Sequence, residues 1–186
     1  CAAVAVAFTL FLYRTEDFWD AIKFPEYFKA VLGGLIMGSM GLVFPQILGV
    51  GYGAMDLALM VKMSWWLMGL LVLLKILATS VTIGSGGSGG IFAPSLFIGA
   101  MAGGSFGYIV HGLFPLITAS SGAYALVGMG ALVAGTTHAP ITAILIIFEL
   151  TGSYKIILPL MISCIVSTII TTSLKRGSIY TIKLSR

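Results

Sequence analysis

Residues 65–83 run apolar from Trp65 to Ile83, with Lys75 as the only interruption. That stretch of about 19 residues is close to the roughly 20 that cross the hydrocarbon of a bilayer as a helix. No other feature narrows the fold as far. Backbone in lipid has no water to bond, so a span of this kind must satisfy its own amides and carbonyls internally. Residues 123–150 and 156–174 are also apolar, and residues 31–50 form a looser, glycine-rich candidate. Hydrophobic residues make up 59% of the chain and charged ones 9%, with mean hydropathy +1.09. Such a composition excludes a soluble domain and leaves no basic face for nucleic acid. The expected class is all-α, an integral, polytopic membrane protein.

Plain spans do not account for the punctuation. Pro45, Pro94, Pro115, Pro140 and Pro159 lie in or beside the apolar stretches, and 24 glycines are scattered through the chain. Proline lacks an amide donor and disfavours helix just before itself, so these points predict helix boundaries, with broken and re-entrant helices meeting at mid-depth. The pattern gives helices over about 2–20, 30–44, 54–61, 64–82 and 91–114. A further helix from Ser120 breaks between Thr136 and Pro140, followed by 141–150, 156–174 and a last segment from Ile179. Gly33, Gly34, Gly38 and Gly41 are expected to let helices pack closely. The chain starts at Cys1 without an initiator Met or a basic leader, so residues 1–186 read as a single-domain fragment of something longer with no signal peptide. Cys1 and Cys164 are too few for a disulfide framework or a metal site.

Residues 84–90 are glycine and serine only, and run directly into Ile91-Phe92-Ala93-Pro94 and a long helical pattern. The same composition would suit a flexible linker. A linker joins self-sufficient units, however, and both flanks here are continuous membrane-depth stretches. The alternative is a backbone turn that aims free amides at one point, where a helix start also favours negative charge. The expectation is an anion site at mid-depth.

The stretch from Gly86-Gly87-Ser88-Gly89-Gly90-Ile91-Phe92-Ala93-Pro94 to Ser95-Leu96-Phe97-Ile98-Gly99-Ala100 resembles the signature of the CLC chloride channel and transporter family. Phe44-Pro45-Gln46-Ile47-Leu48-Gly49-Val50-Gly51-Tyr52-Gly53, Gly128-Met129-Gly130-Ala131, Ala139-Pro140-Ile141-Thr142 and Phe148-Glu149-Leu150-Thr151 fit the same family in the same order. The resemblance covers essentially the whole chain but about the second half of a member, one of two inverted repeats. It implies chloride transport, as a channel or a chloride/proton antiporter. The backbone amides of Ile91 and Phe92 would hold a dehydrated chloride, with Gly89, Gly90, Ala93 and Pro94 shaping the helix start. Neutral dipoles suit conduction, because the ion must also leave. The resemblance further implies that the Tyr180 hydroxyl points at the same ion, that chloride is the only ligand and no cofactor is needed, and that a homodimer forms through residues 139–150 and 156–174. The family's gating and proton-side glutamates would fall in the other half, and this half alone should not conduct.

Read without the family, Tyr180 beside Lys175 and Arg176 is an interfacial aromatic. Lys75, mid-span, either raises the local potential for anions, or snorkels or pairs with a carbonyl. Glu149 sits near a helix end, where a hydrogen-bonding or capping role is expected ahead of proton relay. His111 and His138 have no metal-ligand spacing. Lys175, Arg176, Lys183 and Arg186 follow the last apolar stretch and place the C-terminus in the cytoplasm, with the cell (inner) membrane as the expected location. The rival reading is an enzyme: Gly86-Gly87-Ser88-Gly89 satisfies the Gly-x-Ser-Gly pattern of rhomboid-type intramembrane serine proteases, with His111 or His138 as base. A four-residue match in a glycine-rich loop is weak against motifs in register along the chain, and no enzymatic activity is expected.

Overall fold

The computed structural model describes residues 1–22, 24–174 and 177–184, and among these it contains helices and turns with no strand. In chain order they are α1 (Ala2–Ala21), α2 (Glu26–Val43), α3 (Tyr52–Leu59), α4 (Trp65–Gly84), α5 (Phe92–Leu113), α6 (Ser121–Thr137), α7 (Pro140–Thr151), α8 (Ile157–Leu174) and the short α9 (Thr181–Leu184). Single 3₁₀ turns occupy Pro45–Ile47 and Tyr154–Ile156. Among the described residues, three helical stretches are long and apolar enough to cross a membrane: Trp65–Gly84, Phe92–Leu113 and Tyr154–Leu174.

Proline chemistry sets several boundaries. Pro25 stands at the N-cap of α2 with φ −56° and ψ 141°, so the helix begins there, four residues before the expected start at Ala30. Residues 26–29 carry the charges of Glu26 and Lys29, but charge does not forbid a helix, and proline just outside one favours it. Pro45 draws Phe44 out to φ −128° and ends α2. The apolar stretch 123–150 is not one span. Pro140 holds Ala139 at φ −123° and ψ 73°, His138 takes a left-handed φ of 58°, and α6 gives way to α7. The His138 N–H donates to Ala134 C=O at 2.9 Å, which closes α6.

The centre of the molecule is α6, which packs most extensively on α5 and also meets α1, α3, α7 and α8. Most of its residues from Gly128 to Thr136 are buried, which explains why it is built of small side chains. At the α5–α6 crossing the two backbones touch. A Cβ on Gly99 would lie 2.8 Å from Met129 Cα, one on Gly128 would lie 2.9 Å from Gly103 Cα, and one on Gly103 would strike the Tyr124 carbonyl. Gly99, Gly103 and Gly107 therefore form the small-residue seam. The expectation for α2 is corrected in part. Gly33 meets Ser85 and Gly41 meets Leu48, but nothing lies within 4 Å of a Cβ on Gly34 or Gly38. Among the described residues, none lies over these two.

Candidate anion site

The glycine-serine run is two structures, not one flexible loop. Gly84 is the last residue of α4, and a Cβ there would sit 2.8 Å from Trp19 Cδ1, so the helix end is pressed against α1. Beyond it, Gly86 N–H donates to Ile83 C=O at 3.2 Å and Gly87 N–H to Thr82 C=O at 2.9 Å, with Gly86 at φ +84°. This pair of bonds is a Schellman cap, and only glycine takes that φ freely. What remains free is the link of residues 88–90, all exposed and, among the described residues, without a hydrogen bond.

That link delivers the chain to α5. Ile91 is the N-cap, and Ser95 N–H is the first amide to reach back, to Ile91 C=O at 3.0 Å. The Ser95 hydroxyl donates to the same carbonyl at 2.8 Å. Phe92 and Ala93 amides thus precede any intrahelical acceptor, and Pro94 contributes no N–H to the first turn. Residues 91–94 are half-buried, and the helix is buried from Ser95 to Met101. No acidic residue of that first turn offsets the positive end of the α5 dipole.

Lys75 turns its head away from solvent and is 2% exposed. Its Nζ donates to Ile47 C=O at 2.9 Å and to Gly49 C=O at 2.7 Å, and lies 4.7 Å from the centroid of the Phe97 ring. Of the two expected roles, the structure displays carbonyl pairing. The 3₁₀ turn Pro45–Ile47 runs into non-helical backbone with Gly49 and Gly51 at positive φ, and the Ile47 and Gly49 carbonyls take their donor from Lys75. Phe97, fully buried on α5, is the surface against which this segment rests: a Cβ on Gly51 would meet its ring at 2.6 Å.

Tyr180 lies in the turn before α9 and is 45% exposed, while the preceding Ile179 is buried. Ile179 N–H donates to Thr136 C=O at 2.9 Å, and the Tyr13 hydroxyl donates to Ile179 C=O at 2.6 Å. Ser178 Oγ accepts the Thr181 amide at 3.2 Å. Ile91 and Phe92 pack against the same core cluster that contains Ile179, but no hydrogen bond or ring contact joins them to Tyr180 among the described residues. Sequence reasoning missed Tyr13 and Thr136, whose contribution depends on contacts far apart in the chain.

One other expectation is changed. Glu149 is exposed, and the last turn of α7 is closed by Gly152 N–H to Phe148 C=O at 2.8 Å and by Thr151 Oγ1 to Ile147 C=O at 2.8 Å, not by the carboxylate. Ser88 makes no hydrogen bond to a histidine among the described residues; His111 instead pairs with Thr118 at 3.1 Å, at the far end of α5. The protease reading has no dyad to stand on. In the C-terminal basic cluster, Lys175, Arg176 and Arg186 lie outside the described residues.

Comparison with known proteins gives one consistent result. Residues 1–172 match the family described as "Voltage gated chloride channel". A Ralstonia nicotianae protein described as "chloride channel protein ClcB-like" is 40% identical over 173 residues, covering 93% of this chain and 40% of its own. The H(+)/Cl(–) exchange transporter ClcA of Klebsiella pneumoniae is 34% identical over 183 residues, covering 96% of this chain and 39% of its own. The fold superposes on the crystal structure of a slow cyanobacterial Cl–/H+ antiporter with a TM-score of 0.87 at 33% identity, over 100% of this chain and 45% of the other. The chain therefore spans about two fifths of the length of the curated relatives it matches.

Proposed function

Because the chain belongs to the voltage-gated chloride channel (CLC) family, we propose that it supplies one half of a transmembrane chloride pathway, operating as a channel or as a chloride/proton antiporter. The pathway is completed by the part of the relatives' length that this chain does not span. Chloride is held by the backbone N–H groups of Ile91 and Phe92 and by the Tyr180 hydroxyl, with Gly89, Gly90, Ala93 and Pro94 shaping the approach. The observation that carries this reading is the start of α5: main-chain donors without intrahelical acceptors, at a helix N-terminus whose own first turn holds no acid. Uncharged donors bind an anion strongly enough to replace part of its hydration and weakly enough to release it. Lys75 acts at one remove, by holding residues 47–49 against Phe97 and α5.

Two further parts of the proposal follow. A second copy of the protein packs on α7 and α8, whose exposed faces carry Ile141, Leu145, Leu158, Ile162, Ile165 and Ile169. The protein resides in the cell (inner) membrane with its C-terminus in the cytoplasm, and its task is transport, with no enzymatic step and no cofactor. The test is chloride efflux from liposomes holding the relative-length protein. Flux should survive Ser88→Ala within about twofold, since an exposed side chain outside special features contributes little. Absence of chloride flux, or its loss on removing the Ser88 hydroxyl, contradicts the reading.

A further inference from the structure

The peptide in front of Tyr180 is restrained from two sides. Its N–H, from Ile179, bonds to the end of α6 at Thr136, and the Ile179 carbonyl accepts from Tyr13 on α1 at 2.6 Å. Tyr13 is 4% exposed and Ile179 1%, so this hydrogen bond is sealed from solvent although it joins residues 166 positions apart. The bonds of Ser178 with Thr181 and Ile182 shape the turn internally. The two bonds of Ile179 tie that turn to the helix bundle. The very next residue turns its ring outward, half exposed, and that ring carries the hydroxyl assigned to the anion.

We propose that Tyr13 is a positioning residue for anion binding: its hydroxyl fixes the Ile179 carbonyl, and through that peptide the place from which Tyr180 reaches the chloride. The proposal rests on the reading of Tyr180 as an anion donor. Removing the Tyr13 hydroxyl leaves a buried carbonyl without its donor, and a buried acceptor left unpaired moves toward water or another partner. Any such movement shifts the Cα of Tyr180, and a hydroxyl-to-anion hydrogen bond weakens within a few tenths of an ångström. Phenylalanine at position 13 keeps the ring that belongs to the buried core, so the change isolates the hydroxyl.

The experiment is calorimetric chloride binding to the relative-length protein in four forms: native, Tyr13→Phe, Tyr180→Ala, and both together, with thermal unfolding of each. Tyr180→Ala should weaken binding roughly tenfold, the loss of one hydrogen bond to a charged partner. Tyr13→Phe should weaken it about fivefold, and the double variant should bind no more than about twofold more weakly than Tyr180→Ala alone, because the two act through one contact. Unchanged affinity in Tyr13→Phe with weakened binding in Tyr180→Ala overturns the positioning role and leaves the chloride site standing. Fully additive losses place the effect of Tyr13 elsewhere and also overturn it. Unchanged affinity in Tyr180→Ala removes the donor itself, and this inference with it. If Tyr13→Phe does not fold, difluorotyrosine at position 13 keeps the hydroxyl and makes it a stronger donor. Binding tighter than native then supports the role, and unchanged or weaker binding overturns it.

Discussion

Residues 88–90, leading into α5, are exposed and make no hydrogen bond among the described residues, whereas residues 178–180, leading into α9, are tied by Thr136, Tyr13 and their own cap. Both turns present a donor assigned to the same chloride. The difference follows from what kind of donor each one offers. An amide can meet an ion only if no carbonyl has taken it, so the approach to Ile91 must leave its backbone unpaired and let the helix start of α5 fix the geometry. A phenol hangs on a side chain with two rotatable bonds, so its accuracy has to come from the backbone beneath it. One turn works by being left open, the other by being fastened.

The sharpest way to break this contrast is at Phe92. Replacing its amide by an ester keeps the side chain and deletes the N–H. Chloride affinity should fall by about 10- to 100-fold, as expected for a hydrogen bond of about 1.5–3 kcal/mol to a charged group. Calorimetry that shows no change would remove the main-chain donor from the account. Smaller effects should separate the two turns by stability. Gly86→Ala forces an alanine to φ +84°, and should cost about 1–2 kcal/mol although nothing within 4 Å opposes the methyl group. Ser178→Ala removes the acceptor of the Thr181 amide and should cost about 1 kcal/mol. Denaturant unfolding of the two variants measures both. A larger loss at Ser178 than at Gly86 would mean that the cap of α4 is not the restraint it is taken to be.

Much of the architecture was legible because proline and glycine act locally. The break between α6 and α7 follows from Pro140, and the start of α5 from the change of composition at Ile91, each within a residue or two. Residues 84–90 show where that reasoning stops. Their composition is uniform, yet the Schellman bonds of Gly86 and Gly87 assign them to α4 and leave a link of three. The glycines of α2 and α5 make the same point, since both sets have small-xxx-small spacing. Those of α5 press directly against the α6 backbone at Gly128 and Met129, whereas on α2 Gly34 and Gly38 meet nothing within 4 Å among the described residues. Lys75 could be recognised as costly, but its acceptors, Ile47 at the end of a 3₁₀ turn and Gly49 just beyond it, lie 28 and 26 positions away. Tyr13 carried no signal at all: an aromatic residue in an apolar helix looks the same whether or not its hydroxyl finds a carbonyl across the molecule.

The central claim is that uncharged main-chain donors at the head of α5 hold the halide. Anomalous diffraction from bromide-soaked crystals of the relative-length protein tests it directly. The account predicts a bromide peak within hydrogen-bond reach of the Ile91 and Phe92 nitrogens, with the Tyr180 hydroxyl on its other side. Bromide bound elsewhere in the pathway, with no density at the start of α5, would contradict it.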